Sequence, residues 1–129
     1  MSSIEPGLTA SASVTVGTAQ TAAAVGSGSL AVLATPALVA LMEQAACACL
    51  EGRLELGQTS VGVAIEVAHT AASPVGARVT ATAQVVAVDG RRVEFTVTAA
   101  DGAGQVGHGT HCRVIVHQDR FLAKLATRA

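Results

Sequence analysis

This chain of 129 residues has no Trp, no Tyr and two Phe, so its core must be filled with Ala, Val, Leu and Ile, whose small side chains let backbones approach closely. Charge is scarce as well. Asp, Glu, Lys and Arg make up 13% of the residues, the formal net charge is −1, and there is no run of Lys or Arg. The electrostatic footprint of nucleic-acid or anionic-membrane binding is missing, and neither partner is expected. Low charge with 50% apolar residues is also far from the composition of disordered chains. Three cysteines cannot form a complete disulfide framework, and Cys47 and Cys49, two apart on a predicted helix, point in different directions. All three are expected to be reduced, small apolar residues in a cytoplasmic protein. The first twenty residues lack a basic and then apolar leader pattern, and the longest apolar run is broken by Glu43 and Gln44, so neither export nor a membrane span is expected. The length fits one domain over 1–129, large enough to bury roughly two-thirds of its unfolded surface without metal or disulfides.

Alternation predicts a first strand over 8–16, followed by an irregular Ala, Thr, Gly and Ser segment over 17–34 whose alanines could support a short helix. The clearest helix is predicted over 35–51: Pro36 suits the first helical position, Thr35 is a permitted N-cap before it, and Gly52 is placed to end it. Between Ala37 and Leu50 only Glu43 and Gln44 are polar, so this helix belongs inside the protein or under a sheet and a partner subunit. The period then changes to two. Strands are predicted over 58–68, 77–88, 92–100 and 105–117, the first with Val61, Val63, Ile65 and Val67 on one face. Asp89-Gly90 marks a hairpin. An odd-numbered loop is predicted there, pairing Val85 with Phe95, Ala83 with Val97 and Ala81 with Ala99, because a two-residue loop would pair Gln84 with Phe95 and Thr82 with Val97, a one-residue slip that moves every apolar side chain to the wrong face. The order is that of an α+β protein, one long helix against a curved antiparallel sheet. Five strands cover only one side of such a helix, which predicts a second subunit on the other side or sheet edges that pair with a copy of themselves.

Glu43 is out of place in its apolar helix. There it loses hydration, which disfavours its charged form unless donors or a cation compensate. A structural pairing with an arginine, a helix that turns this position to solvent, and a catalytic role are all open at this point. His69 ends a strand beside the loop 70–76, a common location for reactive groups, although an ordinary surface histidine is the simpler reading of that residue alone. Thr35 has a sufficient role as a cap, and the free N–H groups of the helix start could stabilise an oxyanion. His108 and His111, three apart on a strand, point to opposite faces, and no Cys or acidic residue lies at zinc spacing, so no metal is expected. Gly26-Ser27-Gly28 precedes no P-loop lysine, and nucleotide hydrolysis is not supported.

Four segments carry a resemblance: 34–47 (ATPALVALMEQAAC), 67–76 (VAHTAASPVG), 89–92 (DGRR) and 109–117 (GTHCRVIVH). In them the chain resembles the hot-dog-fold acyl-CoA thioesterases of the fluoroacetyl-CoA thioesterase type, from about Leu33 to Lys124. The resemblance implies a catalytic Thr35, Glu43 and His69, substrate contacts from Gly62 and Arg113, and a homodimer, with a tetramer also open, whose two active sites lie at the subunit interface. The substrate would be an acyl-CoA, with coenzyme A as part of the substrate and no other cofactor. Members specialised for the fluorinated acyl group carry aromatic lid residues before the catalytic Thr. Here 26–34 contains none, which points to an ordinary acyl-CoA or another acyl thioester. Two rivals are a hot-dog enoyl-thioester hydratase or dehydratase, which also pairs an acid with a histidine, and a non-catalytic acyl-CoA-binding module in which Glu43 is a paired carboxylate.

Overall fold

The computed structural model describes residues 3–128, and its elements run β1 (Thr9–Thr15), α1 (Ala22–Val25), α2 (Thr35–Leu50), β2 (Gln58–His69), β3 (Arg78–Asp89), β4 (Arg92–Asp101), β5 (Gly104–His117) and α3 (Gln118–Ala126). The strands form one antiparallel sheet in the order β1-β3-β4-β5-β2. Leu38, Leu41, Met42, Ala45, Ala46, Cys49 and Leu50 recur at helical spacing and are buried. They meet the alternating inward residues of β3 and β4, among them Ala81, Ala83, Val85, Phe95 and Val97. Each large side chain buried here is worth about 1.5–3 kcal/mol. The alanines let the helix settle close to the strands, and the buried Cys49 thiol lies 3.4 Å from the Ala83 carbonyl. On the outer face, Ser11 with Thr82 (2.9 Å) and Ser13 with Thr80 (2.7 Å) join directly opposed residues of β1 and β3. Pro36, Ala40, Gln44 and Cys47 form an exposed stripe on the far side of α2. The half-covered central helix and curved five-stranded sheet are those of the hot-dog fold.

Three expectations need correction. Thr35 is the first residue of α2 and not its N-cap; that position belongs to Ala34, whose side chain cannot cap. The β3–β4 turn has two residues, Gly90 and Arg91, between the paired Asp89 and Arg92, so the odd-numbered loop is wrong. Gly90 takes a φ of 60° at the first central position, as a type II′ turn requires. The pairs Val85–Phe95, Ala83–Val97 and Ala81–Ala99 nevertheless form, because a register shift between Val85 and Ala87 absorbs Val86 as an extra residue. A second shift, between Gly62 and Ala64, makes Val63 an extra residue in β2, so Val61, Val63, Ile65 and Val67 do not share a face.

The segment 17–34 does contain the short helix α1, capped by Thr21, whose side chain accepts from the Ala24 N–H at 3.3 Å. Beyond His117, where the strand pattern stops, α3 carries half-exposed Phe121, Leu122 and Leu125. No helix among the described residues is long and apolar enough to cross a membrane.

Candidate active site

The anomalous acid of α2 has found the cation it needs. Arg113, on β5 beneath the helix, is 7% exposed and donates from Nη1 to Glu43 Oε2 at 3.2 Å. Its Nε donates to Ser60 Oγ (2.9 Å) and its Nη2 to the Ser60 carbonyl (3.2 Å), so the guanidinium is fixed from three sides. The Glu43 side chain keeps 40% of its exposure, and it opens with Arg113 and Ser60 into a groove of about 680 Å³ between α2 and the start of β2. Gly62 makes room for this arrangement. A Cβ there would lie 2.7 Å from Glu43 Oε2, closer than such atoms approach, and 3.2 Å from Arg113 Nη1, so a side chain at 62 would push the carboxylate away.

His111 joins the cluster, although its sequence signal was confined to an unproductive metal pattern with His108. It is 4% exposed and stacks on Phe95 with ring centroids 5.9 Å apart. Its Nε2 lies 3.2 Å from Arg113 Nη1 and 3.9 Å from Glu43 Oε2, and its Nδ1 is 2.8 Å from the Ala64 carbonyl. A guanidinium can only donate, so Nε2 accepts and Nδ1–H donates to Ala64, which assigns the neutral tautomer. Burial pushes the imidazole's pKa below its usual value, the Ala64 hydrogen bond raises it, Arg113 lowers it further and Glu43 opposes that. One residue in the pattern could have revealed His111: Arg113 two positions on, which must share its face of the strand.

Thr35 and His69 form a second cluster. Thr35 Oγ1 and His69 Nδ1 are 2.8 Å apart, in a pocket of about 270 Å³ walled by Val32, Leu33 and Ala71. His69 Nε2 is buried and has no hydrogen-bond partner among the described residues. The structure thus brings together Glu43, Gly62 and Arg113, and separately Thr35 and His69. It does not join the two groups within one chain: Thr35 and Glu43 are eight residues apart on α2, about 12 Å along its axis.

Comparisons with known proteins point to one family. A family profile described as FlK, fluoroacetyl-CoA-specific thioesterase, matches residues 16–119. The chain belongs to this thioesterase family. A fluoroacetyl-CoA thioesterase of Streptantibioticus cattleyicolor is 46% identical over 94 residues, which are 73% of this chain and 68% of that protein. The crystal structure of a point mutant of the fluoroacetyl-CoA-specific thioesterase superposes with a TM-score of 0.93 at 34% identity, covering 100% of both chains. A second mutant of that enzyme, solved in complex with acetyl-CoA, gives a TM-score of 0.91 at 35% identity over 97% of this chain and 98% of its own.

Proposed function

We propose that this thioester hydrolase cleaves acyl-CoA to the free acid and coenzyme A at two sites of a homodimer, each combining Glu43 of one subunit with Thr35 and His69 of the other. The observation that carries the reading is the half-exposed Glu43 carboxylate, fixed by Arg113 over a glycine and open to a groove, in a chain of a thioesterase family. Two features support the dimer. α2 has an exposed stripe with no cover in its own chain. β2 is a sheet edge with exposed Val63 and Ile65, and such edges invite pairing with a copy. Antiparallel pairing of two β2 edges that sets Gly62 opposite the partner's His69, with Val63 bulged out of the ladder, has its twofold at Glu66, and it would complete both sites at once.

In this site Glu43 either takes a proton from water, whose oxygen attacks the thioester carbonyl, or attacks the carbonyl itself to give an anhydride that water then opens. The carbonyl carbon gains a C–O bond and loses its C–S bond, and the leaving thiolate takes a proton from the Thr35–His69 pair, which the proton given up by the consumed water restores. Arg113 keeps Glu43 aimed, and neutral His111 holds Arg113 without adding a competing positive charge. The segment 26–34 carries no aromatic residue to close over the acyl group, and the small pocket beside Thr35 suits a short aliphatic acyl chain rather than a selected fluorinated one.

Glu43→Gln tests this reading. Glutamine can still accept from Arg113, so the fold persists. Thiol release from acetyl-CoA should fall about 100-fold or more, and near wild-type kcat would remove Glu43 from the chemistry. Crotonyl-CoA losing its conjugated absorbance without free thiol would favour hydration instead.

A further inference from the structure

Half of the chain's cations gather in one place that the reaction does not use. Of eight Lys and Arg residues, Arg91, Arg120, Lys124 and Arg128 line a groove of about 490 Å³ between α3 and the end of β5, and no acidic side chain lines it. Phe121, one of two aromatic residues in the sequence, stands 40% exposed on the same wall. In a protein with so little charge and so few rings, this clustering creates a local positive field against an aromatic face, suited to a phosphorylated nucleotide.

The groove is also the right distance from the carboxylate. His117 on its wall is four residues beyond Arg113 on β5, about 13 Å at strand rise. Val116, which also lines it, is the ladder partner of Thr59, which lines the Glu43 groove, so both grooves border the β2–β5 ladder. The pantetheine arm of coenzyme A, from sulfur to the first phosphorus, has about thirteen bonds, a little over four residue lengths, and extends about 15 Å. We infer that this groove holds the adenosine 3′-phosphate 5′-diphosphate end of coenzyme A, with Arg91, Arg120, Lys124 and Arg128 facing the phosphates and Phe121 the adenine. The inference rests on the acyl-CoA reading above and fixes the carrier end of the substrate.

The test is an Arg120→Ala, Lys124→Ala double variant, both residues being exposed on a surface helix. Hydrolysis of acetyl-CoA is compared with that of acetyl-pantetheine, which lacks the nucleotide, and binding of adenosine 3′,5′-bisphosphate is measured by calorimetry. Two lost charge-assisted contacts should raise KM for acetyl-CoA about tenfold or more with kcat unchanged. Acetyl-pantetheine kinetics should not move, and bisphosphate binding should weaken with salt and disappear in the variant. Unchanged KM for acetyl-CoA, or bisphosphate binding equal in both proteins, overturns the inference. If the variant instead loses only activity toward an acyl-carrier-protein thioester, the groove receives an acidic protein and the nucleotide assignment falls. Should wild type hydrolyse neither thioester, the catalytic reading fails, while the bisphosphate titration still decides the groove.

Discussion

Mixing two dead variants should restore activity. Thr35 and His69 share a hydrogen bond of 2.8 Å, whereas Glu43 belongs to the Arg113 cluster, about 12 Å further along α2. No side-chain rotation closes that gap within one chain, so a site containing all three draws on two chains. Glu43→Gln and His69→Ala should each retain about 1% of wild-type turnover or less, since a positioned acid or base contributes 10² to 10⁴. In a dimer of one chain of each kind, one site collects both defects and the other none. After free subunit exchange half of the dimers are mixed, so thiol release from acetyl-CoA should recover to about a quarter of the wild-type rate, and to about half for mixed dimers purified on two tags. Mass spectrometry of the tagged chains verifies exchange. If verified mixed dimers release thiol no faster than the average of the two parents, Glu43 and His69 do not act across the interface. A monomeric wild type in light scattering would refute it more directly.

Gly62→Ala should lower kcat about 100-fold, the usual result of displacing a reacting group by about 1 Å, because its Cβ would meet Glu43 Oε2 at 2.7 Å. That oxygen ends a half-exposed side chain that can swing aside, so stability in urea should fall by about 1 kcal/mol or less, and an unchanged kcat would show that the carboxylate's position is not critical. His111 should titrate below 6.5 by NMR, following the direction set by its burial. The unfolded chain then binds this proton more readily than the folded one, so the neutral ring contributes stability that is complete above about pH 6.5 and is lost as pH falls through the folded value. A His111→Asn variant should lack that part of the acid slope.

The long helix, the strand sequence and the half-covered architecture were legible because each rests on a single local pattern. Apolar residues at helical spacing mark α2, alternation marks β3 and β4, and Pro36 marks where the helix begins. Glu43 was legible for the opposite reason, as a charge that contradicts its surroundings, and Gly62 and Arg113 through the family resemblance. What stayed hidden depends on neighbours distant in sequence. Thr35, named with His69 through the resemblance, reads locally as a cap, and nothing local shows the hydrogen bond between the two. His111 looks like surplus strand until Phe95 and Arg113 close over it. α3 is nine residues long, and although Phe121, Leu122 and Leu125 stand at helical spacing, two turns following directly on a strand are too short a window to separate from it.

The bulge at Val63 shows how a hidden irregularity can organise a site. In a regular strand, side chains on one face are separated by even numbers of residues. Gly62 lies under Glu43 and His69 bonds Thr35, so both face α2, yet they are seven residues apart. One extra residue between them is therefore required, and the register shift between Gly62 and Ala64 provides it. Without it, regular alternation from Gly62 would turn Ala64, Glu66 and Ala68 toward the helix and His69 away from Thr35. The strict sequence alternation of Val61, Val63, Ile65 and Val67 conceals this, because all four would suit either face of a valine-rich edge. The same irregularity leaves Val63 half exposed on the edge strand, where the proposed dimer needs apolar surface. One inserted residue thus serves the acid cluster, the histidine cluster and the edge that would join them.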